Sequence, residues 1–101
     1  MRAKVGSATK IVDRLIGSDE DLRNLVDQAT LNARVAQLIH DARIASGLTQ
    51  AQLADLIGTT QSVIARLEDA DYEDHSLSML RRIAEALHQR LDIRFVRAEV
   101  R

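Results

Sequence analysis

Apolar positions recur at helical spacing along most of this chain and change to alternation only near its end. Ile11, Val12, Leu15 and Ile16 mark a short amphipathic helix over residues 8–16, capped by Ser7 and closed by Gly17. Ser18 caps the next helix, and Asp19, Glu20 and Asp21 fill its first turn, where carboxylates suit the helix dipole. Its apolar line runs through Leu22, Leu25, Val26, Ala29, Ala36, Leu38, Ile39 and Ala42 to a stop at Ser46-Gly47. Such a helix has about 27 residues and a length of roughly 40 Å. Thr30 and Asn32 are weak helix formers and mark where a kink is expected.

Two shorter helices follow. Thr49 and Gln52 have capping-box spacing, Leu53, Ala54, Leu56 and Ile57 supply a buried side, and Gly58 permits a left-handed stop. Thr60 caps the second, whose Ile64 and Leu67 face the core. After the run from Asp69 to His75, Ser76 caps a further helix striped by Leu77, Leu80, Ile83, Ala84 and Leu87. The period then changes. Leu91, Ile93 and Phe95 alternate with Asp92, Arg94 and Arg97, Val96 being the exception, and this predicts a β-strand. A lone strand needs an edge from another chain, so Leu91, Ile93 and Phe95 are the expected dimerisation residues. The alternative is an unpaired tail.

Composition narrows the reading. The chain has 101 residues, the size of one domain, and 46% hydrophobic content, which argues against general disorder. Tyr72 and Phe95 are its only aromatics, so Leu, Ile, Val and Ala must build the core. Proline and cysteine are absent, which favours long helices and excludes disulfide or thiolate chemistry. No apolar run approaches membrane length and no signal-peptide block opens the chain, so a cytoplasmic location without a membrane partner is expected. His40, His75 and His88 show no metal-ligand spacing and read as surface residues. No nucleophile elbow, phosphate loop or carboxylate pair appears, so no enzyme, cofactor or metal is expected.

The polar side of the second short helix carries the chemistry. Gln61, Ser62, Ala65 and Arg66 share one face at i, i+1, i+4 and i+5. Glutamine can pair with adenine and arginine can fork onto guanine in the major groove. Ala65 gives clearance, and Val63 reaches a thymine methyl at the edge. Gln50 lies at a helix N-terminus, where free N–H groups favour a phosphate. With the capping Thr49 and Thr60, these residues make the expected DNA-binding set. Spacing alone is also met by a surface helix of an ordinary bundle. Net charge is −1, low for a DNA binder. The cations Arg2, Lys4, Lys10 and Arg14 stand near one end and the acids Asp69, Asp71, Glu73 and Asp74 crowd one loop. Few phosphate contacts per subunit follow, and a dimer would double them.

The run Gly47–Glu68 resembles the lambda-repressor-like, or Xre/Cro, helix-turn-helix family. Gly47, Thr49-Gln50, Leu53-Ala54, Gly58, Gln61, Ile64 and Glu68 carry the resemblance, which spans about residues 35–90. It implies that Gln50, Gln61, Ser62 and Arg66 touch phosphate or bases, and that Arg43 pairs with Glu68 as a structural ion pair. The family's glycine-containing loop after the second helix is replaced here by Asp69-Ala70-Asp71-Tyr72-Glu73-Asp74-His75. Those acids would repel phosphates, which puts backbone contacts from this loop in doubt, and Tyr72 is expected to pack beneath it. The implied fold is mainly α: a bundle of about five helices with an N-terminal helical extension and one C-terminal strand pairing across a homodimer.

The two extras, with the phrase Leu80–Val96, make the chain similar to HigA-type antitoxins of type II toxin–antitoxin modules. That resemblance implies an autorepressor that binds operator DNA and neutralises a small RelE/HigB-like ribonuclease toxin. It divides the chain into a partner-binding extension (1–34), a DNA-binding domain (35–90) and a dimerisation strand (91–101). Ile11, Val12, Leu15, Ile16, Leu22, Leu25 and Val26 form the expected toxin-facing surface. The alternatives are that these residues cover their own domain, and that the regulator has no toxin partner and serves a phage-type or metabolic switch. A pure protein-interaction module is a third reading.

Overall fold

The computed structural model describes residues 19–98. The expected helix over 8–16, its Ser7 cap, the Ser18 cap and the positions Ile11, Val12, Leu15 and Ile16 lie outside those residues. Four helices lie within them: α1 (Asp19–Ala45), α2 (Gln50–Ile57), α3 (Gln61–Leu67) and α4 (Leu77–Ala86). α1 runs through Thr30 and Asn32 as one helix of 27 residues.

Local chemistry sets the boundaries. The Thr49 hydroxyl accepts from the Gln52 N–H at 3.0 Å while Gln52 Oε1 accepts from the Thr49 N–H at 2.9 Å, a complete capping box. Thr60 and Ser76 cap α3 and α4 through the N–H groups of Val63 and Met79. Three helices end alike. The N–H of Leu48 returns to the Arg43 carbonyl, that of Thr59 to Ala54 and that of Gln89 to Ala84, each over a left-handed residue. That residue is Gly47 after α1 and Gly58 after α2, with φ 74° and 75°. After α4 it is His88, with φ 59°, a conformation costing a side-chain-bearing residue about 1 kcal/mol.

The core gathers Ile39 from α1, Leu53, Ala54 and Ile57 from α2, Ile64 and Leu67 from α3, and Ile83 and Leu87 around α4. Leu53 and Ile64 are wholly enclosed. Tyr72 packs against this cluster, and its ring meets that of His75 edge-on at 4.9 Å. The Arg82 guanidinium donates to the Ile57 carbonyl, tying α4 to the end of α2.

Several expectations need correction. Leu56 is 59% exposed and Leu77 65%, although both were assigned to buried faces. Helices of eight and ten residues need only a narrow stripe to reach this small core, and both leucines fall beside it. Leu38 is exposed for the same reason, because Ala36, Ile39 and Arg43 take the inward face of α1. Residues 91–98 form no strand in the single chain, and Ile93, Phe95 and Val96 are exposed. Within these residues no second strand offers its hydrogen bonds, so the alternating sequence has no ladder to join. His40 and His75 are not bystanders either. His40 joins an ionic cluster, and His75 Nε2 donates to the Leu67 carbonyl at 2.7 Å, fastening the acidic loop to the end of α3.

Candidate nucleic-acid interface

The site is built on the junction of α2 and α3. Gly58 turns the chain, Thr60 restarts it, and Ile64 and Leu67 bury one side of α3 against the core. The other side is thereby turned outward. Gln61, Ser62 and Arg66 are exposed, and Ala65 is half-buried between them. Among the described residues the Arg66 guanidinium has no partner and Ser62 makes no side-chain bond, so both are free to meet a ligand. Val63 is half-buried and packs against the core cluster, which leaves it less surface to offer than its neighbours. Thr49 and Thr60 have their hydroxyls engaged as caps.

Behind this face lies a polar cluster around Glu68. Arg43, the only buried charged residue among those described, forks onto it: Nε donates to Oε2 at 2.7 Å and Nη2 to Oε1 at 3.0 Å. Arg43 Nη1 also donates to the Leu48 carbonyl at 2.8 Å, holding the turn between α1 and α2. His40 Nδ1, in its protonated tautomer, donates to Glu68 Oε1 at 3.0 Å, and Gln50 Nε2 does so at 3.2 Å. Burial is the largest influence on Glu68 and opposes its charge. The hydrogen bonds from Arg43, His40 and Gln50, with the Arg43 charge, outweigh burial and hold the carboxyl below its ordinary range. The carboxylate in turn raises Arg43. Sequence reasoning missed His40, although its position three residues before Arg43 puts both on one helical face.

Gln50 also faces outward. Its Oε1 accepts from Gln61 Nε2 at 2.6 Å, so a chain of side chains runs from the buried ion pair to the exposed face of α3. An open groove lies alongside, lined by Arg43, Gly47, Thr49, Gln50 and Gln61 among others. The first N–H groups of α2 border it, so the place expected for a phosphate and the place expected for base contacts adjoin.

Among the described residues no three His, Asp or Glu side chains gather as a metal site would require. No described helix is long and apolar enough to cross a membrane. No curated protein matches the sequence. A family model does: residues 39–93 match the helix-turn-helix, a DNA-binding regulatory domain and not an enzymatic one. The matched span covers the C-terminal end of α1 from Ile39 on, both short helices, the acidic loop and α4. The match takes in over half of the 101 residues, and the chain belongs to the helix-turn-helix family of DNA-binding regulators.

Proposed function

We propose that this chain is a sequence-specific repressor that binds its operator as a homodimer and serves as the antitoxin of a toxin–antitoxin module. The observation that carries the DNA-reading part is the outward face of α3, where Gln61, Ser62 and Arg66 stand exposed beside the N-terminus of α2. Gln61 supplies a donor and an acceptor for adenine, and Arg66 a fork for guanine. Arg66→Ala is expected to lower affinity for a selected operator by about 1–3 kcal/mol and to relax base choice at one position. Binding isotherms on operator and random duplexes check this. An equal loss on both would make Arg66 a phosphate contact only.

The antitoxin part rests on the first half of α1. Residues 19–31 are exposed throughout, yet they include Leu22, Leu25 and Val26 on adjoining faces. An apolar helical strip left uncovered by its own domain suits a protein partner. Asp19, Glu20, Asp21 and Asp27 beside it suit a basic one, as a ribonuclease toxin would be. The dimer part rests on residues 91–98, whose exposed Ile93 and Phe95 would pair with the same segment of a second copy. Two truncations separate these roles. Removing residues 1–28 should leave operator binding largely intact and abolish capture of a toxin encoded by an adjoining reading frame. Removing residues 91–101 should shift the chain to monomer in sedimentation. Retained toxin capture defeats the first assignment, and an unchanged dimer defeats the second. A regulator without a toxin is the competing reading, favoured if no such protein co-purifies.

A further inference from the structure

The C-terminal segment after α4 carries its charges in a symmetric order. Arg94 Nη2 and Nε both donate to Asp92 Oδ2, at 2.9 and 3.1 Å. That bond joins positions i and i+2, which share a face when the backbone is extended, while the residues between and beside them take the other. Leu91, Ile93 and Phe95 make up that other face. Leu91 at its root is half-buried, Ile93 is 60% exposed and Phe95 fully so. One acid and one base thus stand two residues apart, with Ile93 midway between them. Turned end for end, the same segment presents base where it had acid.

We infer that this segment pairs antiparallel with its own second copy in one register, with the two-fold axis at Ile93. The inference rests on the dimer reading above and supplies its geometry. Residues opposite each other in an antiparallel pair share a face and interact across it. With the axis at Ile93, Asp92 faces Arg94 of the other copy, and symmetry repeats the contact. Leu91 faces Phe95 and Ile93 faces Ile93, so the apolar side chains of both copies collect on one side. Val96, which breaks the alternation, falls opposite Arg90 and its aliphatic stem. Neighbouring registers lose this match. An axis at Arg94 sets arginine against arginine and Leu91 against Arg97, and an axis at Asp92 sets acid against acid. An axis between residues sets Ile93 against a charged side chain. A parallel, in-register pair also aligns like charges, which is destabilising. The edge of a different protein would have to supply the reversed charge order; a second copy supplies it by symmetry.

Charge exchange on the full chain tests the register by sedimentation equilibrium. Asp92→Arg sets two pairs of arginines across the axis, and Arg94→Asp two pairs of acids. Each variant alone should dimerise about tenfold more weakly than the wild type. An equimolar mixture of the two should recover near wild-type affinity, because every cross-strand pair is then opposite in charge while the bond within each chain stays broken. Cross-linking gives an independent reading, since the chain has no cysteine of its own. Ile93→Cys should form a disulfide dimer readily, its two Cα atoms lying about 4.5–5.5 Å apart. Phe95→Cys should not, with about 13 Å between its two copies along the strands, but it should link to Leu91→Cys in a mixture. A mixture no tighter than its components, or faster cross-linking of Phe95→Cys than of Ile93→Cys, overturns the register and leaves the dimer standing. A wild-type chain that stays monomeric overturns both and leaves the segment for a different protein's sheet edge.

Discussion

Glu68→Ala is expected to destabilise the fold by about 3–5 kcal/mol, because Arg43 would remain buried without its counter-charge. The Glu68 and Arg43 side chains are only 4% and 9% exposed, so water cannot replace the lost partner. Surface pairs behave differently. Arg81–Glu85 on α4 is about two-thirds exposed on both sides, and breaking it should cost less than about 1 kcal/mol. Replacing Arg43 and Glu68 together by methionine should cost less than Glu68→Ala alone, since no charge is stranded. Denaturant titration of the three variants decides the matter, and a Glu68→Ala loss as small as that of the surface pair would contradict a buried fork. The same group sets an acid limit. Its folded value lies below the ordinary 4.5, so the stabilisation is fully present above pH 4.5 and fades as pH falls through the depressed value. Stability curves of wild type and Glu68→Gln should therefore converge in acid. Curves that stay parallel there would remove Glu68 as the cause.

The punctuation of the helices was legible in the sequence because it depends on neighbours a few residues apart. Thr49 with Gln52, Gly58, Thr60 and Ser76 each act on backbone groups within one turn, and each does so in the structure. The inward line Leu53, Ile57, Ile64 and Leu67 was legible for the same reason. Leu38, Leu56 and Leu77 were misjudged because hydrophobicity does not say how wide a face the core will accept, and this core is narrow. His88 in a left-handed turn gave no signal, since glycine is the residue that announces that conformation.

The site was legible as a set of residues and not as a network. Gln61, Ser62 and Arg66 share a face by spacing alone, and the structure leaves that face open. What spacing could not give is the link between residues far apart in sequence. Gln50 lies 11 positions from Gln61 and 18 from Glu68, yet it bridges them. Gln50 was singled out for the helix N-terminus it opens, whose exposed N–H groups favour a phosphate, and spacing gave no sign that its side chain bonds both Glu68 and Gln61. The C-terminal segment marks another boundary of inference. Alternation reports that Leu91, Ile93 and Phe95 can form a strand, but pairing is a property of two segments, and no second one lies among the described residues.

Ile64→Ala should cost about 2–5 kcal/mol and lower DNA binding through folding alone. Ile64 is 0% exposed and shares the core with Leu53 and Ile57. With half-buried Tyr72 as the core's only aromatic contributor, little neighbouring bulk can close the cavity. α3 has seven residues, too few to be helical on its own. Its exposed face therefore exists only while Ile64 and Leu67 anchor the opposite one. The loss is large beside a total stability of about 5–15 kcal/mol for a domain of this kind. Ile64→Val should be milder, at about 0.5–1.5 kcal/mol. The check pairs thermal melts with binding isotherms across temperature. For Ile64→Ala, operator affinity should track the folded fraction, approaching the wild-type value in the cold with base preference unchanged. A shifted base preference in a variant that melts like the wild type would mean that Ile64 tilts α3 instead of holding it, and that the reading face is set by angle more than by anchorage.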